Sequence, residues 1–277
     1  APFILNRSFS FRNLERHVRK PGTTIAGELC VLVSSGAGVP LASLRVRSGM
    51  PPMTDTFAPG WPGIPARWTS SAKSGLGTAV SRESRVWFTL SHGILNEVYY
   101  PRVDHACTRD LGFIVTDGRT FFSEEKRDAR SETWQVAPGI LAYRIRNTAV
   151  DGRYRIEKEV LTDPWRDVVL QRVRFVPLQG TLADFRLYVL LAPHLANRGS
   201  GNTAWVGDYK GAPMLFAERD HHALALATTA PWLARSVGFV GVSDGWQHLR
   251  AHRRLNRTYT RAENGNVAIT GEIDLGS

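Results

Sequence analysis

The histidines of the main body are His92, His105, His194, His221, His222, His248 and His252, and the chemistry they could support is proton transfer. Acid–base catalysis needs a general acid and a general base poised over one substrate, typically an imidazole and a carboxylate. None of these histidines stands in such a context, and His221-His222, between Asp220 and Ala223, reads as a turn. Carboxylates cluster at Glu124-Glu125, Glu157/Glu159 and Asp163/Asp167. Residues two apart on a strand share a face, so Glu157 and Glu159 point one way, and their alternation with Lys158 reads as a solvated face. Cys30 and Cys107 are far apart, with no CxxC spacing and no paired histidines. That pattern is neither a disulfide framework nor a metal site, and Cys107 reads as a small buried residue. No catalytic residue, metal or cofactor is assigned.

Aromatic residues are the more informative group, because large rings dominate cores and interfaces. Tyr99-Tyr100-Pro101-Arg102-Val103-Asp104 places two rings, a rigid proline and an Arg/Asp pair where a strand gives way to a loop. Two readings fit it. In one, Tyr99, Tyr100, Arg102 and Asp104 form an interface, where Tyr and Arg are enriched. In the other, the segment is a hairpin corner held by a local Arg102–Asp104 pair. Asn202–Gly211 reads as a second loop of this kind, with Trp205, Asp208 and Tyr209 as its contact residues and glycines that allow close backbone approach.

The elements that position these residues are strands. Val86–Leu90, Gly93–Tyr100, Leu111–Val115 and Thr120–Phe122 are short runs rich in aromatic and β-branched residues. Asp117-Gly118 and Asp151-Gly152 are hairpin turn signals. Leu141–Thr148, Tyr154–Leu161 and Asp167–Val176 alternate in character, whereas Phe185–Leu191 is a more apolar run, as for a strand covered on both faces. Met214–Glu218, Ala223–Thr228 and Val267–Ile273 complete the set. Helical periodicity is nearly absent, and its best candidate is the short Ala230–Val237. About a dozen strands at roughly ten-residue spacing predict an all-β antiparallel sandwich of two large sheets.

The net charge of +10 is uneven: residues 1–52 hold seven basic residues against two acidic ones, half of the excess. In the body, positives interleave with acids, as in Arg153–Glu159, and no nucleic-acid-binding motif accompanies them. There is no run of eighteen apolar residues. Neither nucleic acid nor a membrane is expected as a partner. Residues 1–52 read as a basic leader with little packed structure, either a disordered tail or non-native sequence translated ahead of Met50 and Met53. No credible signal peptide precedes Met53, which leans toward the cytoplasm, with secretion as the alternative.

Two long blocks carry a resemblance. Trp61–Lys73 with Gly75–Thr78, and Val86–Asp104, are similar to the opening of bacterial glucoamylases and glucodextranases of glycoside hydrolase family 15. Gly152–Pro164, Leu190–Leu195, Asn202–Met214 and Glu263–Leu275 fit the same domain, so the likeness covers residues 57–277. It implies a galactose-mutarotase-like antiparallel supersandwich that precedes an (α/α)6 barrel. The barrel carries two catalytic glutamates that release glucose from α-glucan ends with inversion, one as acid and one as base for water. The sequence contains no helical hairpins of such a barrel and stops directly after a strand, which reads as truncation. Three readings follow: a non-catalytic domain that stabilises and positions that barrel, a stand-alone carbohydrate-binding module for α-glucan, or a mutarotase-like epimerase.

Overall fold

A computed structural model describes the backbone of residues 27–35 and the whole of residues 56–276. The strands are β1 (Gly27–Ser35), β2 (Gly75–Thr78), β3 (Trp87–Ser91), β4 (Ile94–Tyr99), β5 (Thr108–Thr116) and β6 (Phe122–Glu124). After a one-turn helix, α1 (Glu125–Asp128), come β7 (Ala129–Gln135), β8 (Tyr143–Ala149), β9 (Tyr154–Thr162), β10 (Val168–Pro177) and β11 (Arg186–Pro193). Then follow β12 (Asn202–Tyr209), β13 (Ala212–Arg219), β14 (His222–Thr228) and β15 (Trp232–Phe239). Helix α2 (Gly245–His252), β16 (Arg261–Gly265) and β17 (Val267–Ile273) close the chain. They build the expected all-β antiparallel sandwich. One sheet runs β16-β12-β13-β14-β1-β10-β9-β8-β7; the other runs β15-β17-β11-β5-β4-β3-β2, with β6 on β5.

Alternation dictates which face looks inward. On β9, Tyr154, Ile156, Lys158 and Val160 are buried, while Arg155, Glu157 and Glu159 lie outside. Glu159 bonds Arg144 and Arg172, and Glu157 bonds Arg155 and Arg174, so the outer carboxylates are tied across strands. At the lower end of the core, Tyr154 stacks on Phe175 at 5.5 Å, and Phe185 and Phe121 pack edge-on against it. The hairpin signals act as expected. Gly118 and Gly152 take positive φ, and Asp117 Oδ1 accepts the N–H groups of Arg119, Thr120 and Phe121. Gly in a left-handed turn avoids the Cβ clash that other residues suffer.

Four expectations need correction. Asn202–Gly211 is not a loop: residues 202–209 are strand β12, paired with β13 and β16, and only Lys210-Gly211 turns. Ala230–Val237, the helical candidate, forms most of β15, because a place beside β17 outweighs weak local propensity. Lys158 is not part of a solvated face; it is 2 % exposed in the interior. Within the leader, residues 27–35 pair with both β10 and β14, so these nine residues are packed; the other residues before 56 lie outside the described ones.

Helix α2 was not foreseen either. Asp244 caps it by accepting the Gln247 N–H at 3.0 Å, and Arg253 ends it in the left-handed conformation. Its buried Leu249 packs on Ile114 and Tyr188, and Trp246 sets its edge on Phe122 while donating to Glu124 at 2.8 Å. The helix therefore covers part of the outer face of the eight-stranded sheet. That is why Phe185–Leu191 reads as apolar on both sides.

Candidate functional site

The first candidate group sits where β4 ends. Tyr99 is half-buried, and burial together with the nearby Glu97 carboxylate raises its phenol pKa. Tyr100 turns inward and is 2 % exposed; its hydroxyl accepts from Arg85 Nη2 at 2.9 Å, and the Arg85 guanidinium lies 5.3 Å over its ring. The corner closes through Tyr100 N–H to His105 O and His105 N–H to Arg102 O. Arg102 holds Asp104 in a bidentate pair at 2.9 and 2.8 Å, which keeps that carboxyl below its ordinary range. Asn197 reaches in from the connection after β11, donating to Asp104 O and accepting from Ala106 N–H. The local-pair reading of this corner matches the geometry. What it offers outward is Arg102, Asp104 and the exposed Val103; Tyr100 is not available to a partner.

The second group lies on β12. Trp205 stacks on Phe216 with planes 13° apart, in a small apolar cluster that also holds Tyr209, Met214, Ala225 and Ala227. Asp208 accepts from Arg235 Nη1 at 3.2 Å, and the same nitrogen reaches Gly207 O and Met214 O. The structure does not bring the two groups together. Asn202, where β12 begins, meets Leu195 N–H beside the Asp104 corner. Asp208 and Tyr209 lie roughly 20 Å further along the strand at 3.3 Å per residue.

Two polar clusters escaped sequence reasoning. On the outer face of the eight-stranded sheet, Asp110 accepts from Thr69 at 2.6 Å, Asn96 at 2.8 Å and Lys126 at 2.9 Å, which staples the segment before β2 to the sheet. Beside it, His194 sits edge-on to Trp68 at 5.2 Å; burial, then Arg109, pushes its pKa down to about 4. Between the sheets, Lys158 pairs with Glu125, while Asn147 donates to both Glu125 and Gly93 O. The one legible signal was a lysine on an otherwise apolar strand face.

The geometry defines a large two-sheet antiparallel sandwich domain. The chain belongs to the family described as Glucodextranase, domain N, whose pattern it matches over residues 58–277. It is 38% identical over 214 residues to a glucoamylase of Clostridium sp. (strain G0005), covering 77% of this chain and 30% of that protein. Its fold matches the crystal structure of a bacterial glucoamylase complexed with acarbose, with a TM-score of 0.79 and 33% identity, over 88% of this chain and 34% of that one. The chain thus spans about a third of the length of these relatives.

Proposed function

We propose that this domain stabilises and positions the catalytic (α/α)6 barrel of an α-glucan exo-hydrolase of glucoamylase type, and supplies no catalytic group itself. The observation that supports the reading is a set of exposed apolar side chains at the end that carries the β4–β5 and β11–β12 connections. Trp61 and Trp68 are 66% and 53% exposed, Val103 and Val242 are exposed, and Ile64 lies against Gly241 beside Val242. Trp68 meets His194, and Asn197 joins that connection to the Asp104 corner. Exposed tryptophans and aliphatic side chains edged by an Arg/Asp pair fit the composition of an interface.

The full-length protein tests it. Trp61→Ser and Trp68→Ser together should uncouple the two parts, splitting one cooperative unfolding transition into two and lowering hydrolysis of soluble starch. A single unchanged transition with unchanged turnover would refute this docking face.

A further inference from the structure

At the opposite end of the sandwich, a cleft of about 320 Å³ opens among the β5–β6, β8–β9 and β10–β11 connections. That volume is at the lower end of small-ligand sites. Phe121 and Phe185 line it with ring surface, and Arg119, Arg153, Gln179 and Asp184 line it with polar groups. We infer that this cleft binds a neutral polyhydroxylated ligand, a sugar unit of an α-glucan.

Three features carry the inference. The polar groups are held in place. Asp117 gathers three backbone N–H groups of the turn bearing Arg119 and Phe121, and Asp184 Oδ2 accepts from Thr181 N–H at 2.8 Å and Thr181 Oγ1 at 3.0 Å. Arg153 lies 4.6 Å over the Phe121 ring while its Nε faces Asp151 at 3.2 Å, and Gln179 Nε2 donates to Gly152 O. Gly180, at φ +73°, leaves room for the Asp184 carboxylate, which a Cβ there would strike.

Second, the lining carries charges of both signs. Arg119 and Arg153 share the lining with the carboxylates of Asp117 and Asp184. Third, donors and acceptors alternate around an apolar floor. Arg119 lies close enough to Asp184 to favour its charged form, and Asp184 keeps a carboxylate oxygen outside its turn. Vicinal hydroxyls donate and accept at once, and a sugar ring offers an apolar face to the Phe185 ring, Arg153 already lying over Phe121.

The choice of an α-glucan, though not of a polyol, rests on the glucoamylase-type reading above. Titration calorimetry of the 277-residue chain with maltotriose tests it, with inorganic phosphate as the control anion. Saturable maltotriose binding is expected at millimolar concentration, weakened about tenfold or more by Arg119→Ala or Asp184→Asn. Arg119→Ala should leave the unfolding midpoint in place, because that side chain is exposed and makes no hydrogen bond among the described residues. Trp61→Ser should leave this binding unchanged, so loss of docking and loss of sugar binding are separable. The inference is overturned if maltotriose does not saturate, if Arg119→Ala binds as well as the parent, or if phosphate binds instead.

Discussion

Lys158 Nζ lies 2.7 Å from Glu125 Oε1, with both side chains fully buried between the two sheets. Each charge is further satisfied: Lys158 donates to Gly93 O at 2.6 Å, and Glu125 accepts the Phe113 N–H at 3.1 Å. Burial pulls the lysine pKa down, while the carboxylate beside it opposes that pull. Removing one partner leaves the other charged and uncompensated. Lys158→Met should therefore cost about 3–5 kcal/mol in urea unfolding, and Lys158→Met with Glu125→Gln should recover most of that loss. Equal losses for the single and double variants would contradict the pairing.

Gly93 links that pair to the β3–β4 turn. It takes φ +72°, and a Cβ there would collide with Asn147 Oδ1 and Ser131 Oγ. Gly93→Ala should destabilise by about 1–3 kcal/mol from strain and overpacking together, read as a lower denaturation midpoint with an unchanged slope.

His194 predicts a pH dependence. Its pKa is about 4 in the folded chain against 6.5 for an ordinary imidazole. Between those values the unfolded chain takes up the proton that the folded chain refuses. Stability should fall as pH drops from 6.5 toward 4, by up to about 3 kcal/mol in total. Thermal unfolding of His194→Gln over the same window should show a shallower decline.

The Arg102–Asp104 pair is exposed on both sides, so it should matter little to the fold. Arg102→Ala should leave the unfolding midpoint of this chain unchanged. In the full-length protein the same substitution should lower the coupling between domains, if the corner edges the docking face. A fall in this chain's own midpoint would mark the pair as structural only.

Strand β1 lies between β10 and β14. A chain beginning at Met53 would leave those two strands with unpaired edges, a known aggregation hazard. Analytical ultracentrifugation should show it associating at concentrations where the 277-residue chain does not; identical sedimentation would mean that Gly27–Ser35 is dispensable.

By itself the sequence determined the sandwich, most of its strands and the family. Alternation on β8, β9 and β10 states which residues face inward, and Asp117-Gly118 and Asp151-Gly152 can hardly be anything but turns. These signals are local: they depend on the period of the backbone and the φ that a turn requires. Tertiary structure decided the rest. Asn202–Tyr209 became a strand because β13 and β16 lie on either side of it, and Gly27–Ser35 because a place in the sheet satisfies its backbone. Tyr100 was drawn inward by Arg85, fifteen residues away in sequence, and Asp110 became a hub by meeting Thr69 and Lys126 from two other segments. The Arg119 cleft is assembled from three separate connections. Contacts between residues so far apart leave no periodic trace along a single chain; only the packing of two sheets brings them within bonding distance.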